Sequence, residues 1–113
     1  MFDGFEAKRV ETSKVGIYLR IGGKGPPVLL IHGYPQSHVI WHQMAPVLAE
    51  RFTVIAPDLR GYGDSDAPET DADHIAYSKR VMAEDMLQVM AALGFRRFAV
   101  VGHDRGARVA YRL

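Results

Sequence analysis

The pentapeptide Gly102-His103-Asp104-Arg105-Gly106 carries the clearest chemical signal in the chain. A Gly-x-nucleophile-x-Gly sequence between a strand and a helix is the pattern of a nucleophile elbow, a sharp and strained turn. The flanking glycines let strand and helix approach without a Cβ clash, and the middle side chain is presented at the C-terminal edge of a sheet. The backbone N–H that follows sits at the start of a helix, where anions are favoured. The middle residue here is Asp104. A carboxylate is a poor catalyst of amide cleavage by acylation, but a competent nucleophile toward a saturated carbon that bears a leaving group. Attack produces an ester to the protein, which water then hydrolyses. The competing reading is that Asp104 merely caps the next helix, a place that aspartate fills well.

Arg105 and Arg108 follow Asp104 closely. On a helix that starts at the elbow they share one face. Two guanidiniums beside a nucleophilic carboxylate suit an anionic substrate, most naturally a carboxylate held in bidentate fashion, and their charge favours ionised Asp104. The alternative is a pair of solvated surface arginines. None of the five histidines has metal-ligand spacing to a second His or a carboxylate, and a zinc site is not expected. His32 and His103 flank motifs and read as structural hydrogen-bonding residues; His38, His42 and His74 read as loop or helix surface. Gly22-Gly23-Lys24-Gly25 precedes a strand rather than a helix, so it fails as a dinucleotide fingerprint. No cofactor is expected.

These residues must be positioned by the elements around them. Residues 5–11 and 15–21 read as a hairpin. Val28-Leu29-Leu30-Ile31 is a continuous apolar run, as in a strand covered on both faces, and Phe52–Ala56 is a second such run. Between them, residues 41–51 place Trp41, Met44, Ala45, Leu48 and Ala49 at helical spacing, which predicts one amphipathic helix. A longer helix is predicted from Ile75 to Leu93, with a buried stripe of Met82, Met86, Val89, Met90 and Leu93, ended by Gly94. Arg97–Gly102 reads as a further buried strand, followed by a last helix over Ala107–Leu113. Strand and helix alternate from Val28 onward, which predicts a parallel sheet with right-handed crossovers.

At 113 residues the chain fits one small domain, and 48% apolar residues are enough for a packed core. The net charge of +1, with acidic and basic residues interspersed, gives no footprint for nucleic acid or membrane partners. Without cysteine there is no disulfide framework and no thiolate nucleophile or metal site. That absence, and an N-terminus that does not read as a signal peptide, lead us to expect a cytoplasmic location.

His32-Gly33-Tyr34-Pro35-Gln36, Asp58-Leu59-Arg60-Gly61-Tyr62-Gly63-Asp64-Ser65 and the pentapeptide at 102–106 together resemble the haloacetate (fluoroacetate) dehalogenases. These belong to the Asp-nucleophile branch of the α/β-hydrolases, beside haloalkane dehalogenases and epoxide hydrolases. The resemblance runs from about Val15 to Leu113. It implies an α/β fold: the N-terminal part of an α/β-hydrolase core domain, with a hairpin, parallel strands and crossover helices, and without the cap and C-terminal part. In the family's terms, Asp104 is the nucleophile and Arg105 and Arg108 bind the substrate carboxylate. The backbone N–H of Tyr34 joins that of Arg105 at the oxyanion or leaving-group site. The haloalkane enzymes and epoxide hydrolases usually carry tryptophan where this chain has Arg105. The implied partner is a small carboxylate substrate, with a full-length form compatible with a homodimer. The family's catalytic acid and histidine come after the nucleophile. The last helix also lacks a stop signal, so the chain is expected to be a fragment without turnover. An epoxide hydrolase and a non-catalytic fragment are the alternatives.

Overall fold

In a computed structural model, the structure describes residues 4–33, 36–67, 78–103 and 105–112, with backbone alone for Arg105, Tyr111 and Arg112. Strands β1 (Glu6–Glu11) and β2 (Gly16–Gly22) form the expected hairpin, closed by a turn in which the Thr12 N–H and hydroxyl both donate to the Val15 carbonyl at 2.8 Å. Strands β3 (Pro27–Ile31), β4 (Thr53–Pro57) and β5 (Ala99–Gly102) complete a five-stranded sheet in the order β1-β2-β4-β3-β5. The pairs β3–β4 and β3–β5 are parallel, and β2 joins β4 antiparallel.

The chain leaves β3 to one side to form β4, then returns across β3 to form β5. Right-handed crossovers in opposite directions put their helices on opposite faces of the sheet. The two apolar clusters follow this division. Val28, Leu30, Val54 and Ala56 pack with Trp41 and Ala45 on one face, whereas Leu29, Ile31 and Ile55 pack with Met82, Met86, Val89 and Met90 on the other. Side chains alternate along a strand, so a run with both faces covered must be apolar at every position, as Val28–Ile31 is. The reversal of direction at β3 makes the C-terminal ends of β3 and β5 the usual place for a ligand in an open α/β sheet.

The helix predicted over residues 41–51 is instead two short pieces, a 3₁₀ turn at His38–Trp41 and α1 at Met44–Leu48. Pro46 is the reason. It has no N–H and is tolerated only in a helix's first turn, so a continuous helix from Trp41 cannot pass through it. Met44, expected on the buried stripe, is 44% exposed. Helix α2 spans Lys79–Ala92, starts on a Ser78 side chain that accepts the Val81 N–H, and ends before Gly94 at φ +90°. The predicted start at Ile75 lies outside the described residues. Four of the five predicted stripe residues are buried, and Leu93 packs partly buried against them.

Asp85, which lies outside the predicted α2 stripe, is also buried, where Arg60 grips it with Nε–Oδ2 and Nη2–Oδ1 contacts of 2.6 and 2.7 Å. A buried charge demands such a partner, and this one ties α2 to the loop after β4. Strand β5, expected to be buried, has Ala99 and Val101 exposed; among the described residues it pairs with β3 alone. Its other face is covered, with Val100 packed toward α2 and helix α3 (Arg105–Arg112). Among the described residues no helix is long and apolar enough to cross a membrane.

Candidate active site

Strand β5 ends at Gly102 and α3 begins at Arg105, with His103 the described residue at the bend between them. Its backbone is pinned from β3, where the Ile31 carbonyl accepts the His103 N–H at 3.0 Å, and is closed by a Gly106 N–H to His103 carbonyl bond of 2.8 Å. A Cβ on Gly106 would lie inside the van der Waals shells of the Ile31 and His32 carbonyl oxygens, and one on Gly102 would meet Ala107 Cα at 2.6 Å. Both glycines are therefore required for room rather than for an unusual φ. That is the close approach of strand and helix expected of an elbow. Asp104 and Tyr34 lie outside the described residues. Arg105 opens α3, and Arg108, three positions on, is exposed on the same helix.

Beneath this bend the end of β3 is built from buried polar contacts. His32 is fully buried; its Nε2 accepts the Leu59 N–H at 2.9 Å, so Nδ1 carries the proton and donates to the Gly33 carbonyl at 2.9 Å. Burial lowers its pKa below the ordinary 6.5, against the opposing pull of the Gly33 carbonyl and of Asp58. The neutral ring expected as a structural element is what these bonds require. Gln36 Oε1 accepts both the Gly33 N–H at 3.0 Å and a bond from His103 Nδ1 at 3.1 Å.

His38, read from sequence as surface, is 7% exposed. Its N–H and its Nδ1 both meet Asp58 Oδ1, at 2.7 and 2.8 Å, while Asp58 Oδ2 accepts the Asp64 N–H at 2.9 Å. Burial works to raise the Asp58 carboxyl, but the contacts from His38 and Asp64 outweigh it and hold it below the usual carboxylate range. Gly63, at φ +52°, has no room for a side chain against that carboxylate. The loop then returns to β2. Ser65 Oγ donates to the Asp58 carbonyl at 2.5 Å and accepts the Tyr18 N–H at 2.9 Å, and Asp66 pairs with Gly16 and with Arg9. Sequence reasoning used this segment as a motif of the family resemblance but assigned none of its polar contacts. The overlooked signal was an aspartate directly after a buried strand with glycines spaced behind it.

Both titrating groups make the fold acid-labile. A histidine whose folded pKa is lowered contributes stability that is complete above 6.5 and lost as pH falls from there toward its folded value. Asp58 adds a second loss only below about pH 4, as pH falls through its depressed pKa. We therefore expect the urea midpoint to begin falling just below pH 6.5, and His32→Gln to flatten that first limb while lowering the plateau. A wild-type midpoint that is level between about pH 7.5 and 5 would count against it.

Among the described residues no group of three His, Asp or Glu is placed to hold a metal. A recess of about 620 Å³ lined by Leu87, Phe95 and Phe98 lies before the start of β5, at the end of the sheet away from the elbow. The described part of the site is thus a glycine-flanked bend pinned to β3, with polar contacts among His32, Gly33, Gln36 and His103 beside it.

Known proteins bear directly on this arrangement. A model of the alpha/beta hydrolase fold family matches residues 26–113. Fluoroacetate dehalogenase from Burkholderia sp is 49% identical over 113 residues, covering 100% of this chain and 37% of that protein. Soluble epoxide hydrolase from Corynebacterium sp. (strain C12) is 49% identical over 89 residues, covering 79% of this chain and 29% of that protein. The crystal structure of ALR0039 from Nostoc sp PCC 7120 superposes with a TM-score of 0.98 at 59% identity, covering 100% of this chain and 39% of that one. The chain spans little more than a third of the length of the longest-matched of these relatives. The elbow, the reversal of direction at β3 and a family match that runs from β3 through α3 agree: this chain belongs to the alpha/beta hydrolase fold family.

Proposed function

We propose that this chain is the N-terminal part of a hydrolytic dehalogenase that acts on short 2-haloacids. An Asp104 carboxylate oxygen attacks the α-carbon, the carbon–halogen bond breaks, and the halide leaves with the bonding pair. Water then adds to the ester carbonyl, gives its proton to a base supplied from outside this chain, and releases the 2-hydroxy acid. The observation that carries the reading is the elbow, whose two glycines admit no side chain and which has an aspartate at its centre. Arg105 and Arg108 on the helix that leaves it, with the backbone N–H groups of Arg105 and Tyr34, are the groups we assign to the anionic substrate and the leaving halide.

The test is halide release from fluoroacetate and chloroacetate by the full-length protein. Arg108→Ala should raise KM for the haloacetate by about tenfold or more, as loss of a charge-assisted contact implies. A wild type that releases no halide would end this reading. Identity to the Corynebacterium soluble epoxide hydrolase supports a second one. Under it, the full-length protein forms a diol from an uncharged epoxide and is indifferent to Arg108→Ala.

A further inference from the structure

We propose that Gln36 and His103 form a strut that sets the spacing between the loop after β3 and the elbow, and are positioning residues for the displacement step; this rests on the reading of Asp104 given above. Gln36 is half-buried and is held to its own loop twice. Its N–H donates to the Gly33 carbonyl at 2.8 Å, and its Oε1 accepts the Gly33 N–H at 3.0 Å. The same oxygen accepts from the His103 ring, 67 residues along the chain. One amide oxygen therefore joins the loop that contains Tyr34 to the bend that contains Asp104.

The two sides of this bridge are otherwise anchored separately. On the loop side, the next element is fixed at His38 by Asp58. On the elbow side, the backbone is fixed by the Ile31 carbonyl and by the closure at Gly106. Backbone bonds on β3 hold the start of each segment, but among the described residues Gln36–His103 is the side-chain bond that spans the gap between them. Donors aimed at a departing anion work only when their convergence is fixed in advance, and a misplacement of about 1 Å can cost about a hundredfold in rate.

The experiment uses the full-length protein with Gln36→Leu, Gln36→Glu, His103→Ala and the double change Gln36→Leu/His103→Ala. On chloroacetate, Gln36→Leu and His103→Ala should each lower kcat by about tenfold or more while KM moves less than about threefold. The double variant should be no worse than the poorer single by more than about twofold, since both changes remove one contact. Gln36→Glu keeps both acceptor contacts, so its kcat should stay within about threefold, with its added charge read in KM. The second readout needs no turnover. Hydrogen exchange at the Gly33 amide should quicken by about tenfold in Gln36→Leu and measurably in His103→Ala. Wild-type kcat in Gln36→Leu, or single effects that multiply in the double variant, would overturn the strut. Should the wild type release no halide, the dehalogenase reading fails by itself. Unchanged Gly33 exchange in both single variants would then overturn the strut independently.

Discussion

Asp104→Asn in the full-length protein is expected to lower halide release from chloroacetate by at least about 10³-fold, or about 4 kcal/mol of transition-state stabilisation. The amide keeps the size and shape of the carboxylate but has neither its charge nor its nucleophilic oxygen, so folding and substrate binding should survive while ester formation stops. KM should therefore change little beside kcat. A covalent readout separates nucleophile from base. In a single turnover in heavy-oxygen water, attack of water on the ester carbonyl places the label in Asp104 and leaves the first 2-hydroxy acid unlabelled. Direct attack of water on the substrate carbon would label the product instead. Halide release that persists in freshly prepared Asp104→Asn, or label found only in product at the first turnover, would reduce residue 104 to a helix cap.

The second large effect falls on stability. Gly106→Ala should destabilise the protein by more than about 4 kcal/mol, the range reserved for a few named mechanisms such as forced overlap in a packed interior. The new methyl would meet two carbonyl oxygens, of Ile31 and His32, at the end of β3, which is paired on both sides. Neither can retreat without breaking the sheet, since the Ile31 carbonyl already accepts the His103 N–H. Gly94→Ala provides the contrast. Gly94 has φ +90°, but a methyl added there would find nothing within 4 Å, so the change strains the backbone alone. It should cost about 1–2 kcal/mol. Urea unfolding of both variants checks the order. A loss below about 2 kcal/mol at Gly106 would mean that strand and helix can part at the bend.

The elements were largely legible, because each depends on residues close in sequence. Apolar runs at 28–31 and 52–56 became β3 and β4, and the methionine-rich stripe became the buried face of α2. The helix predicted over 41–51 failed through a local rule applied too late, since Pro46 restricts where a helix can begin. The exposure of Ala99 and Val101 in β5 was not legible for another reason: among the described residues the strand pairs with β3 alone, and local composition does not encode pairing.

Taken by itself, the amino-acid order determined the chemistry on offer: a carboxylate between glycines, two arginines on the helix behind it, and a family resemblance carried by three motifs. These are properties of single residues and short spacings, which no fold can alter. Only the tertiary structure decided which polar groups meet. His38 found Asp58 across 20 residues, Arg60 found Asp85 across 25 and Gln36 found His103 across 67. No periodicity encodes such pairs. The register of β3 against β4 and β5 brings the segments that follow these strands together, and at His38–Asp58 and Arg60–Asp85 burial makes an unpartnered polar group too costly to leave.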